Sequence, residues 1–183
     1  MVYTCGGNFY AYMLQLKQEI ESEKIMFREI ARKKQALPKA KINEILNTEK
    51  RGVLSVIGDN GYPYGLPINY WYDEESGYIY FHSGKNGHKV DALKTDNRVS
   101  FCVYDKGYKN EGEWALNISS VIVFGKIHIV DDFEKALKIY RNLSLKFTSD
   151  TEYIESEIEK FAKNTLCLEL RPEHITGKIV NEA

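Results

Sequence analysis

Apolar side chains recur along this chain at two different spacings, and the change from one to the other organises it. Over residues 9 to 36, Tyr12, Leu16, Ile20, Phe27 and Ile30 stand among many charges at rough helical intervals, which predicts one helix or two. Pro38 then sits where a first helical turn begins, and Ile42, Ile45 and Leu46 give a second short helix its inner face. From Gly52 the spacing turns strand-like, in the runs Val53 to Ile57, Tyr64 to Tyr72 and Tyr78 to Ser83. Gly58-Asp-Asn-Gly61 and Asp73-Glu-Glu-Ser-Gly77 punctuate them as turns, so two successive hairpins are predicted. Val90 and Leu93 suit a turn or two of helix, after which Val99 to Tyr104 and Ser120 to Val130 resume the strands. Asp131 or Asp132 can cap a helix through Phe133, Ala136, Leu137 and Tyr140; another runs through Ile154, Ile158 and Phe161 before a closing strand, Leu166 to Leu170.

Six or seven strands with so few helices between them do not make a doubly wound parallel sheet, which needs a crossover helix at nearly every step. The expected fold is mainly β with flanking helices, an antiparallel barrel whose closure removes the edges that aromatic-rich strands would otherwise expose. The tyrosines Tyr62, Tyr64, Tyr70, Tyr72, Tyr78 and Tyr80 are read chiefly as barrel packing.

At 183 residues and 43% hydrophobic content the chain can bury a proper core as one domain. Its net charge of -1 gives no reason to expect nucleic acid or a membrane surface as partner, and Arg32-Lys33-Lys34 reads as a solvated helix face. Cys5, Cys102 and Cys167 are odd in number and lack C-x-x-C spacing, which argues against a disulfide framework or zinc site and for a reducing cytoplasm. His128 and His174 show no metal-ligand spacing and are read as structural or surface residues. The run Val121 to Val130 is too short to span a bilayer, and no export leader is recognised at the start.

Chemistry concentrates in Tyr78-Ile-Tyr-Phe-His-Ser-Gly-Lys-Asn-Gly-His-Lys89, where an alternating strand enters a glycine-broken loop. Two glycines admit close backbone approach, Ser83 offers a hydroxyl, and His88 and Lys89 stand at a helix start, which together suit a phosphate group. Lys89 can also be read as a solvated lysine, although its charge opposes the helix dipole unless an anion lies nearby. His82 alone reads as a packing residue at a strand end.

An ordered set of motifs resembles the pyridoxamine 5'-phosphate oxidase-like FMN-binding split barrels, and among them the nitroimidazole-resistance (Nim-type) branch. The motifs are Gly52-Val-Leu-Ser-Val, Gly61-Tyr-Pro-Tyr-Gly-Leu-Pro-Ile-Asn-Tyr70, Tyr80-Phe-His-Ser with Gly87-His-Lys89, Asn97-Arg-Val-Ser-Phe, Ser119-Ser-Val-Ile-Val-Phe-Gly125 and Ile175-Thr-Gly-Lys178. The resemblance covers Phe27 to Ile179, and residues 1 to 25 form an extension before a domain of residues 26–183. It implies a homodimer with FMN at the interface and the phosphate gripped by Ser83, Gly84, His88 and Lys89. His88 replaces a common arginine, which shifts phosphate charge to Lys89 and adds pH dependence. The resemblance also implies that Pro67, Ile68, Asn69 and Tyr70 run along the flavin edge, that Ser120 reaches the cofactor from the partner subunit, and that His82 is a flavin neighbour and candidate catalytic residue.

The implied activity is an FMN-dependent oxidoreductase reducing the nitro group of a nitroimidazole or related small molecule. No acid-base triad and no G-x-G-x-x-G fingerprint is needed when flavin carries the chemistry. Pyridoxamine phosphate oxidation itself is disfavoured, because Arg171 to Lys178 lacks the oxidase's C-terminal Arg-x-His-x-Arg-type clamp. The alternative is a flavin- or haem-binding module on the same barrel, without nitroreductase turnover.

Overall fold

The structure is a computed structural model that describes residues 27–182. The chain divides into two compact units, Met1–Ala31 and Arg32–Ala183. The helical reading of residues 9 to 26, and with it the extension, lies outside the described residues. Residues 33–35, expected to be helical, make a single 3-10 turn instead.

In the second unit, α1 (Lys39–Thr48) follows Pro38, whose extended backbone starts the helix. The strands are β1 (Arg51–Ile57), β2 (Pro63–Asn69), β3 (Trp71–Asp73), β4 (Tyr78–Gly84), β5 (Arg98–Tyr104), β6 (Asn117–Ile129) and β7 (Thr165–Asn181). Helix α2 (His88–Thr95) lies between β4 and β5, and the pair α3 (Phe133–Leu145) and α4 (Thr151–Phe161) between β6 and β7. Asp132 and Asp150 cap these last two helices by accepting from the N–H of Lys135 and Tyr153.

All seven strands form one antiparallel sheet in the order β2-β1-β5-β6-β7-β4-β3. Both predicted hairpins are present, β1 with β2 and β3 with β4. The sheet curls into a split half-barrel, and here the expectation of full closure is corrected: the order ends at β2 and β3, so no ladder joins them. The chain itself joins them through Tyr70, the residue between the two strands. The closing strand is also far longer than Leu166 to Leu170. Its second half pairs with β6 as far as Asn117, past a bulge at Glu173 of β7 opposite Phe124 and Gly125. A Cβ on Gly125 would stand 2.2 Å from the Arg171 carbonyl oxygen, so the bulge requires glycine.

Alternation sends Leu54, Val56, Phe81, Phe101, Val121, Val123, Leu168 and Leu170 into one interior cluster, closed by Ile45 and Leu46 of α1. Phe101 holds its centre, with Tyr70 and Phe81 packed edge-on at 5.0 and 5.1 Å. The opposite faces of β4 and β7 carry Tyr80 and Cys167 into a second cluster with Ala136, Ile139 and Tyr140 of α3 and Ala162. Glu169 is buried beside it and kept charged by Lys135 and Arg171. The tyrosines divide accordingly: Tyr70, Tyr72 and Tyr80 are core residues, whereas Tyr62 is 75% exposed.

Candidate functional site

The glycine-broken loop lies between β4 and α2, where the strand ends at Gly84 and the helix starts after Gly87. Gly87 has φ +116°, a conformation that favours glycine, and a Cβ on Gly84 or Gly87 would meet nothing within 4 Å. The Val90 and Asp91 N–H groups both turn back to the Gly87 carbonyl. Those of His88 and Lys89 precede the first intrahelical bonds and are free for a ligand.

Lys89 is half-buried and makes no hydrogen bond or ion pair among the described residues. Burial pushes its pKa down, because no carboxylate offsets the desolvation. A cation held this way is stabilised by any anion that docks beside it. Ser83 is buried, and its hydroxyl donates to the Gly84 carbonyl at 3.0 Å, leaving oxygen lone pairs available.

His88 is placed differently from a simple phosphate ligand. Its ring stacks on Tyr64 with centroids 4.3 Å apart, and its Nε2 accepts from the Asp59 N–H at 3.4 Å. The side chain therefore ties the start of α2 to the β1–β2 turn, and its backbone N–H is the part that faces the cradle. Nothing in the spacing of residues 58 to 64 announced Asp59 and Tyr64 as its partners.

His82 and Ser83 occupy opposite faces of β4. Ser83 follows Phe81 inward, whereas His82 follows Tyr80 toward α3 and α4. There it borders a cavity of about 160 Å³ with Tyr140, Ser144, Ile158 and Phe161. Although the side chain is exposed to solvent on this face, partial desolvation and then the charge of Lys89 lower its pKa from 6.5, which favours the neutral ring near pH 7 and couples it electrostatically to the cradle. Phe161, expected inside its helix's apolar face, is 56% exposed at this cavity.

Strand β2 is an edge. The ladder bond from the Gly58 N–H to the Tyr62 carbonyl fixes the phase of the hairpin, so Tyr64, Leu66 and Ile68 bond toward β1. The backbone of Gly65 and Asn69 and the Pro67 carbonyl then face outward. Ile68 and Tyr70 are core side chains; Pro67 is exposed and Asn69 half-buried. Tyr70 is pinned from outside the barrel interior by Lys146, whose ammonium lies 4.0 Å from the ring centre and donates to the Glu49 carbonyl at 2.6 Å.

Ser120 is not brought to the cradle within one chain. It pairs with Tyr104 and Lys178, whereas β4 pairs only with Thr165 to Leu170 of β7. It stands on the outer sheet face with Ile122 and Phe124, next to Val53, Cys102 and Tyr104 of neighbouring strands. Val53, Tyr104 and Phe124 are exposed there.

The pyridoxamine 5'-phosphate oxidase family model matches residues 38–179, which span this loop, both hairpins and nearly all of β7. The chain belongs to that family. Solved structures agree in fold. A Bacteroides thetaiotaomicron protein provisionally assigned to 5-nitroimidazole antibiotic resistance superposes with a TM-score of 0.67 at 20% identity, covering 80% of this chain and 87% of its own. A FAD-binding protein from Mesorhizobium loti gives 0.56 at 18%, covering 80% and 97%. The flavocytochrome Anf3 of Azotobacter vinelandii gives 0.65 at 16%, covering 83% and 72%. No curated protein sequence matches the chain.

Within this family frame the residues fit a flavin phosphate: an unpaired cation, free helix-start N–H groups and open glycines converge on one loop. Among the described residues no group of three or more histidine, cysteine or acidic side chains could hold a metal ion. No helix among them is long and apolar enough to cross a membrane.

Proposed function

We propose that the chain is an FMN-dependent oxidoreductase that works as a homodimer and reduces the nitro group of a small aromatic molecule, as a nitroimidazole-reducing protein would. The single observation that carries the cofactor assignment is Lys89, a half-buried cation without a counter-ion at the start of α2, beside two glycines that leave room for a ligand.

In this reading the Lys89 ammonium and the His88 and Lys89 N–H groups hold the phosphate, with Ser83 and Gly84 on the strand side. The outward-facing backbone of β2 from Gly65 to Asn69 lines the ring edge, in the stretch that contains Pro67, Ile68, Asn69 and Tyr70. Ser120 of the partner subunit completes the site from the exposed apolar face of β1, β5 and β6, a surface suited to burial against a second copy. When bound, the flavin supplies the electron transfer. His82, neutral at pH 7, can hold or release one proton at a ring nitrogen next to the substrate. The nitro-group assignment draws on the Bacteroides relative's description and on the motifs that resemble the Nim-type branch.

The test is a visible spectrum of the purified protein after FMN is added and unbound flavin removed, followed by steady-state reduction of a nitroaromatic. Retained flavin with turnover supports the reading. Retained flavin without turnover leaves a flavin-binding module, and no retained flavin sinks the cofactor assignment.

A further inference from the structure

The pocket beside His82 lies on the helical side of the sheet, against α3 and α4. Its wall is built by the α3–α4 pair: Tyr140 and Ser144 from α3, Ile158 and Phe161 from α4. The Tyr140 hydroxyl is already committed to the Thr165 carbonyl at 3.0 Å, and Glu157 at the same cavity is paired with Lys160. The His82 imidazole, by contrast, is exposed at the pocket mouth and has no protein hydrogen-bond partner among the described residues. The pocket is open to solvent on one side, and its volume of about 160 Å³ leaves room for one benzene-sized ring. Ile158 and Phe161 offer it apolar contact, and a single unpaired imidazole offers one polar anchor, the combination that orients a small ligand.

We propose that this cavity is a binding site for an uncharged single-ring aromatic, whose polar substituent bonds to His82 and whose ring packs on Phe161 and Ile158. The charge of neighbouring Lys89 disfavours cationic ligands. Assigning the cavity as the substrate subsite rests on the oxidoreductase reading above; the binding itself does not.

Nitrobenzene titrated into isotope-labelled full-length protein, with and without FMN, tests it by nuclear magnetic resonance. Saturable shifts at His82, Ile158 and Phe161 are expected, with benzene binding more weakly for lack of the polar anchor. Phe161→Ala, at an exposed position that the fold tolerates, should weaken nitrobenzene binding about three- to tenfold and leave FMN affinity unchanged. Ile158→Trp should block the cavity and weaken it further. No saturable shift, shifts confined to other surfaces, or unchanged affinity in both variants would overturn the assignment. Ring binding without FMN binding would overturn the cofactor proposal and leave this one standing, whereas FMN binding without ring binding would do the reverse.

Discussion

The imidazole of His88 lies flat against the ring of Tyr64, at 4.3 Å and an interplanar angle of 22°, and this stack joins the candidate phosphate loop to the β1–β2 hairpin. Two segments 24 residues apart thereby hold each other in place. Stacked rings contribute about 0.5–1.5 kcal/mol beyond buried area, so Tyr64→Ala is expected to weaken FMN binding by roughly two- to tenfold while β1 and β2 stay paired. A fluorescence titration measures it, and unchanged affinity would mean the loop holds its shape without the stack.

Lys89→Ala removes the charge itself. The expected loss is about 1.5–3 kcal/mol, the range for a hydrogen bond to a charged group, or roughly one to two decades in FMN affinity. Because burial lowers the Lys89 pKa, the ammonium deprotonates earlier in alkali than a free lysine. FMN affinity of the wild type should therefore decline on the alkaline side, and that slope should vanish in the variant. A slope of equal size in both would assign it to another group.

Lys146 sets a pH dependence of stability. Burial pushes its pKa down to about 8 from 10.5, outweighing the carboxylate of Glu49. Below about pH 8 the lysine is charged in both folded and unfolded chains, and its desolvation penalty is fully present. Between about 8 and 10.5 the unfolded chain binds more protons, so folding is favoured progressively as pH rises. Urea unfolding of wild type and Lys146→Met across this window should show the wild type gaining stability relative to the variant. A pH-independent difference would contradict the burial argument.

Gly125→Ala forces a Cβ against the Arg171 carbonyl, a backbone atom that cannot swing aside. Overpacking of this kind costs about 1–3 kcal/mol. Chemical denaturation should show that loss, and wild-type stability would mean the bulge opposite Gly125 relaxes freely.

Ile122→Glu places a charge in the middle of the exposed apolar face that carries Ser120. If two copies bury this face, the substitution should yield a monomer by light scattering and lower FMN affinity together. A variant that stays dimeric, or a wild type that is already monomeric, would remove Ser120 from the site.

The strands, the two hairpins and the phosphate loop were legible because alternation and turn residues are local signals, read over a few residues at a time. Closure was not. Whether β2 and β3 pair depends on the curl of the whole sheet, and no window of sequence contains it. The length of β7 was hidden for a related reason: Arg171-Pro-Glu-His breaks the alternation, because Glu173 is an extra, bulged residue of β7 after which its pairing with β6 resumes. In the candidate site, Lys89 could be singled out by its type and place, whereas the engagement of His88 with Asp59 and Tyr64 arises from contact across 24 or more residues. The exposure of Phe161 at the His82 cavity follows from how α4 is rotated on the sheet, which a helical stripe alone leaves undetermined.

Because a single residue, Tyr70, separates the two edge strands, the half-barrel has unequal tolerance to changes in chain length. Extra residues in the Asp73–Gly77 turn only lengthen a surface loop, whereas those in the Gly58–Gly61 turn would disturb the Asp59 contact that holds His88. One residue added or removed between Ile68 and Tyr72 would reverse which side chains of β2 or β3 face the core, taking Ile68 or Tyr72 out of it. Insertions and deletions among relatives of this chain should therefore gather at the turn of the β3–β4 hairpin and spare the four peptide bonds around Tyr70.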